Sequence, residues 1–329
     1  MVRFADASSV DSPTRRSYGE VTVGDPKLSE DGRLEAGGEV VDEGVGQPGP
    51  TGRPLPSFPV PAPLTSHGPA WIVAMCNQKG GVGKTTSTIN LGAALAEYGR
   101  RVLLVDFDPQ GALSVGLGIN PMQFEVTVHD LLLGGDSDVR DVIVETQVEG
   151  LDLLPSNIDL SAAEVLLVTE VGREHSLARA LAPVLDEYDV ILVDCQPSLG
   201  LLTVNALTAA DAVIVPLECE YFALRGVALL LQTIDKVRER LNSRLELAGI
   251  LATMYDARTL HAREVLARVV ERFPDEVFHT VINRTVRFPE TTVAGEPITT
   301  YAPTSVGAAG YRRLARELMV RHHTPPTVG

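Results

Sequence analysis

The residues best suited to do chemistry lie together at 77–91, reading NQKGGVGKTTSTINL. Gly80, Gly81 and Gly83 permit positive φ and let backbone approach a ligand closely. N–H groups from such a loop, that of Val82 among them, joined by the N-terminus of a following helix, surround phosphate oxygens. Lys84 supplies a cation at the β- and γ-phosphates, and Thr85 offers a hydroxyl to Mg²⁺. The pattern G-x-x-x-x-G-K-[ST] is not met in full, because Gln78 stands where its first glycine belongs and Lys79-Gly80-Gly81 follows. A plain Gly-rich turn with a nearby lysine is the competing reading. It does not account for the apolar run before the loop or the helical pattern after it.

Two acidic stretches carry complementary chemistry. In VLLVDFDPQG, 102–111, a buried strand ends in Asp106 and Asp108. Their spacing puts both carboxylates on one side, at the strand edge where open α/β sheets bind ligands. Asp108 is placed to orient a water for attack on a γ-phosphate, and Asp106 to support the shell of a magnesium ion. A strand-end turn with Asp as a helix cap is the alternative. In DVILVDCQPSLG, 189–200, four apolar residues lead to Asp194, the usual setting of an acid that holds Mg²⁺ through a water. Asp189 reads as a cap at the strand start.

These groups need elements to position them. WIVAMCN, RVLLVD, LDLLP, DVILVD, AVIVPL and AGILAT are short apolar runs. Helical patterns fall between them, at 161–169, 176–187, 223–241 and 259–273, and the helix opened by the loop stops at Gly99. Continuous apolar strands alternating with amphipathic helices predict an α/β fold, a doubly wound, mostly parallel sheet with helices on both faces. Residues 1–69 read differently. They hold ten of the 22 prolines and ten of the 29 glycines, with no period of 2 or 3.6, and predict a disordered acidic tail ending in a stiff Pro-rich linker. The ordered domain is expected over 70–321, with a short polar tail at 322–329.

Composition excludes several classes. The chain has 329 residues, with 28 basic against 43 acidic side chains and a net charge of −15. A wholly basic nucleic-acid binder is excluded; a locally basic face is not. No stretch has the roughly 18 apolar residues a membrane span needs. The start lacks the apolar core of a secretory signal. Cys76, Cys195 and Cys219 are scattered and odd in number, which fits reduced, buried thiols in a cytoplasmic protein.

The succession KGGVGKTT, VDFDPQG and VDCQPSLG resembles the ParA/Soj family of deviant-Walker P-loop ATPases. PLECEYFALRG, TMYDART, INRTVRFPETTVAGEPI and YAPTSVGAAGYRRLARE are similar to it too, so the resemblance spans about residues 70–320. It implies an ATP- and Mg²⁺-dependent hydrolase that forms a homodimer on binding ATP, with two nucleotides between the subunits. Lys79 matches the signature lysine that reaches the opposite subunit's nucleotide, Lys84 the P-loop lysine, Thr85 the Mg²⁺ ligand and Thr86 a further phosphate contact. Asp108 matches the acid that positions the attacking water, Asp106 its companion and Asp194 the Walker B acid. It also implies binding of DNA without sequence preference, through Arg258 and Arg287, in a cytoplasmic, nucleoid-associated protein of chromosome or plasmid segregation. A ParB-like partner stimulates hydrolysis in that family.

Arg258, Arg263, Arg268 and Arg272 lie on one helical segment, Arg284 and Arg287 in the next turn, and Arg312, Arg313, Arg316 and Arg321 near the C-terminus. Local cations suffice for phosphate contact. Glu264 and Glu271 among the first set also suit an ordinary solvated helix face. The alternative to a DNA-bound switch is a MinD-like membrane-associated ATPase, which requires an exposed amphipathic C-terminal helix. Tyr311, Leu314, Leu318 and Met319 form an apolar stripe there, better explained as core packing. Gln196, Arg225, Asn283, Thr285 and the run 288–290 depart from the family pattern. They leave the acids, lysines and threonines of the loop intact.

Overall fold

The computed structural model describes residues 45–135, 137–220 and 223–323. Seven strands form one sheet: β1 (Trp71–Met75), β2 (Val102–Phe107), β3 (Val144–Glu145), β4 (Leu151–Leu154), β5 (Val190–Cys195), β6 (Ala212–Glu218) and β7 (Glu246–Thr253). Their order is β3-β4-β2-β5-β1-β6-β7. Every pairing is parallel except β3 with β4. This is the doubly wound architecture the apolar runs predict, with one antiparallel edge.

Period-2 alternation divides the sheet between two cores. In β2, Leu103, Val105 and Phe107 enter one cluster, and Val102 and Leu104 the other. All six residues of β2 and of β5 are buried, which is why both read as unbroken apolar runs. The first face is covered by helices Leu201–Ala209, Ala223–Arg240 and Leu260–Arg272. Helix Lys84–Glu97 and the last helix, Val306–His323, cover the second and lie against each other. Helix Lys84–Glu97 ends where Gly99 turns left-handed, at φ 75°. The stripe Tyr311, Leu314, Leu318 and Met319 is buried in the second core, at ~1.5–3 kcal/mol for each large apolar side chain. It offers no face to a bilayer, and no described helix is long and apolar enough to cross one.

Three expectations are corrected. The Pro-rich linker is not free between 45 and 69. It lies along the domain as a strap: Phe58 is buried, and Arg53 donates to the carbonyls of Pro274, Val277 and Phe278 at 2.6, 2.7 and 3.1 Å. Backbone without sheet or helix is tolerated there because long arginines satisfy it; Arg313 and Arg100 donate to the Pro56 and Ala62 carbonyls. The rest of that tail, residues 1–44, lies outside the described residues, as do 324–329. At the other end, the boundary expected at 321 is passed: the last helix continues to His323, and the His322 ring stacks on Trp71 with centroids 4.0 Å apart.

The C-terminal arginines are not a basic face. Arg312 pairs with Glu97 at 2.6 Å, Arg316 is buried and donates to the Tyr98 hydroxyl, and Arg321 stacks over Phe278.

Both ends of the sheet are occupied. β3 is two residues long, and segment 276–282 runs beside β7, Ile250 N–H donating to the Glu276 carbonyl at 2.8 Å and Ile282 N–H to that of Ala252 at 2.8 Å.

Candidate nucleotide site

The loop 77–83 joins β1 to helix Lys84–Glu97 at the C-terminal end of the sheet. Gly81 and Gly83 have φ of 74° and 81°, a conformation that side chains with a Cβ rarely adopt. Gly83 occupies the N-cap, and no side chain caps the helix. Its first N–H groups therefore face the loop, the arrangement that receives an anion. Asn77 braces the turn: Nδ2 donates to the Pro216 carbonyl at 2.7 Å, and Oδ1 accepts from Lys79 N–H at 2.9 Å. Thr253, at the end of β7, donates to the Val82 carbonyl at 2.8 Å. Lys84 is 7% exposed and folds over the loop, Nζ donating to the Lys79 carbonyl at 3.3 Å.

Parallel register brings the acids to the same edge: Met75 lies beside Asp194, and Asp194 beside Asp106. Thr85 Oγ1 donates to Asp194 Oδ2 at 2.6 Å, and Thr88 Oγ1 to Oδ1 at 3.5 Å. Burial, reinforced by the Asp106 charge, pushes the Asp194 carboxyl up to about 8 against the opposing Thr85 hydrogen bond. Asp106 is fully buried, which pushes it up to about 7 against two bonds from Ser114. Its Oδ2 accepts Ser114 N–H at 2.9 Å and Ser114 Oγ at 2.7 Å; Oδ1 takes Asp108 N–H at 3.4 Å. Asp106 thus has one oxygen largely committed, while Asp108 stays half-exposed, accepting Gln110 N–H at 3.0 Å.

Two buried acids side by side, each with a hydroxyl donating to it, form an oxygen-rich set that suits a hard dication. Proton uptake or a cation relieves the burial of their charge.

Lys79 points away from this centre. Its Nζ donates to Glu218 Oε2 at 3.2 Å and to Glu220 Oε2 at 2.5 Å. Partial burial pulls the ammonium down, but Glu220 and Glu218 outweigh it and leave it raised. Lys79 and Glu220 are both about half exposed, so the pair is worth ~0–1 kcal/mol and is readily exchanged.

Arg258 and Arg287 lie on adjoining segments after β7. Tyr255 N–H donates to the Ile282 carbonyl and Arg284 N–H to that of Tyr255. Arg258 is 89% exposed and forks onto Asp256; Arg287 pairs with Glu290 at 2.9 Å. Arg263, Arg268 and Arg272 are exposed along helix Leu260–Arg272.

Sequence reasoning missed Asn77, Ser114, Glu218, Glu220 and Thr253. The acids at 218 and 220 carried the only usable signal, standing at the end of an apolar run as Asp106 and Asp194 do. Cys76 and Cys195, expected buried, are so, with Sγ atoms 3.0 Å apart, and burial raises the Cys195 thiol.

A family model described as an AAA domain matches residues 70–247. An uncharacterized protein of Mycobacterium tuberculosis is 67% identical over 273 residues, covering 83% of this chain and 86% of its own. The sporulation initiation inhibitor protein Soj of Bacillus subtilis is 51% identical over 247 residues, covering 75% and 97%. Among solved structures, cobyrinic acid a,c-diamide synthase of Mycobacterium smegmatis with bound ATP analog and magnesium is similar, with a TM-score of 0.68, 47% identity, and coverage of 77% of this chain and 95% of that one.

Proposed function

The chain belongs to the ParA/Soj family of partitioning ATPases, and from that premise we propose that it is a nucleotide-driven switch for segregating chromosome or plasmid DNA. It hydrolyses ATP, as that family does. ATP draws two copies together, the dimer holds DNA at the nucleoid without reading its sequence, and a ParB-like protein stimulates hydrolysis and releases it.

The observation that carries this reading is the Thr85–Asp194 contact of 2.6 Å at the head of an uncapped helix, with Lys84 folded over the loop before it. The backbone of Gly80, Gly81, Val82 and Gly83, with Lys84 and Thr86, binds the phosphates. Thr85 and Asp194 would hold magnesium, with Asp106 lending charge from behind. When bound, the ion neutralises charge on the β- and γ-phosphates. Asp108, fixed by the Gln110 and Asp106 turn but half-exposed, orients the attacking water. Lys79 acts across the dimer: released from Glu218 and Glu220, it meets the charge on the partner's γ-phosphate. Hydrolysis therefore waits for dimerisation. Arg258 and Arg287 supply the DNA contacts, and their carboxylate partners give way to phosphates.

The test is ATP turnover by the full chain, alone, with mixed-sequence duplex DNA, and with a candidate ParB-like protein added to both. Slow turnover that rises several-fold when both are present is expected. Turnover indifferent to both additions would overturn the partitioning role while leaving the ATPase standing.

A further inference from the structure

Two cations meet at one carboxylate beside the phosphate loop. Glu218 ends β6, and its side chain is 15% exposed. Its Oε2 accepts from Lys79 at 3.2 Å, and its Oε1 accepts from Arg284 at 2.9 Å. Arg284 opens the turn that leads to Arg287. It is held inward twice, by its side chain on Glu218 and by its N–H on the Tyr255 carbonyl at 2.9 Å. Arg287 instead faces outward with a partner on its own helix, Glu290.

We infer that Glu218 is a positioning residue that couples Lys79 to the turn at 284–287. The inference rests on the reading above, in which Lys79 leaves for the partner's nucleotide and Arg287 meets DNA. One negative charge serves two cations. While Lys79 sits on Oε2, its charge weakens the hold of the carboxylate on Arg284. Once Lys79 leaves, a carboxylate mostly shielded from water keeps Arg284 as its compensating cation, with both oxygens open to the guanidinium fork. The turn is then gripped harder, and Arg287 is presented to a phosphate with less left to order. Glu220 does not share this role, because water solvates its exposed carboxylate when Lys79 goes. Coupling of this kind is reciprocal: DNA that orders the turn favours the departure of Lys79.

The test uses the full chain with a non-hydrolysable ATP analogue. Affinity for a mixed-sequence duplex is measured by fluorescence anisotropy at fixed salt, with and without the analogue; dimerisation is followed by light scattering. In Glu218→Gln, the nucleotide-dependent gain in DNA affinity is expected to fall about tenfold, while dimerisation is as tight as in the parent or tighter. Arg284→Gln should lose the same gain, and the double variant no more than either. Arg284 is 61% exposed, so its variant keeps the test open if Glu218→Gln does not fold. A full gain in folded Glu218→Gln, or additive losses in the double variant, would overturn the coupling. A parent chain with no nucleotide-dependent gain would overturn the functional reading itself, and the coupling with it.

Discussion

Replacing Asp194 with asparagine should make the nucleotide-free protein more stable and the nucleotide-bound protein less so. Asp194 is 1% exposed. Burial, with the charge of Asp106 beside it, raises its carboxyl from an ordinary 3.8 to about 8. The folded chain therefore keeps the proton up to about pH 8, whereas the unfolded chain releases it near pH 4. A raised acid contributes stability that is fully present below the unfolded value and is lost as pH rises through the folded one. The loss runs at ~1.4 kcal/mol per pH unit across that window and reaches roughly 5 kcal/mol at its top. Asparagine has no proton to release, and its amide oxygen still accepts from Thr85. Urea unfolding without nucleotide, in chelator, should find Asp194→Asn ~3 kcal/mol more stable than the parent at pH 8 and ~1 kcal/mol less stable at pH 4.5, once ~2 kcal/mol is allowed at both for the amide's own desolvation. Magnesium and ATP should reverse the order, because the parent gains binding energy that the variant cannot. A variant less stable than the parent at pH 8, or a difference that does not grow with pH, would refute the reasoning.

Other outcomes follow from the same geometry. Lys84→Ala should bind no nucleotide in calorimetry; retained affinity would remove Lys84 from the phosphate site. Asp108→Ala should bind ATP and accumulate as dimer, with turnover ~10²–10⁴-fold lower; a wild-type rate would mean another group holds the water. Arg287→Glu should weaken DNA binding about tenfold and lower its salt dependence by about one phosphate, with ATP-driven dimerisation intact. Equal affinity at low salt would place the DNA face elsewhere. Phe58→Ala should cost ~3 kcal/mol in urea unfolding, because it empties the pocket that anchors the strap; a change under about 0.5 kcal/mol would mean the strap adds little to the fold.

What was legible in the sequence was whatever repeats locally. Six strands showed as apolar runs because a parallel sheet buries both faces, and the four helical patterns read among them fall within a few residues of helices in the structure; helix Leu201–Ala209, apolar on nearly every side, showed no helical period. β3 gave no signal, being two residues whose pairing depends on β4. The strap was read as linker because proline leaves no period; it is held by Arg53 and Phe58, and Arg53 bonds to a residue 221 positions away. The same distance hid the C-terminal arginines' partners and made them look like a basic face. At the site, the loop and its acids stood out because each ends or follows a strand. Ser114 did not, since its role exists only because Asp106 is buried and needs a donor.

The two occupied borders of the sheet have a consequence for crowding. A parallel sheet with bare edges recruits further chains strand by strand, most of all when many copies are held close together. Here one border is a two-residue antiparallel stub and the other is taken by segment 276–282, whose carbonyls Arg53 and Arg321 engage from outside. On the function proposed above, copies concentrated along DNA would have their nucleotide faces left for meeting one another. Reversible pairing would then be kept apart from aggregation by the way the chain closes its own margins.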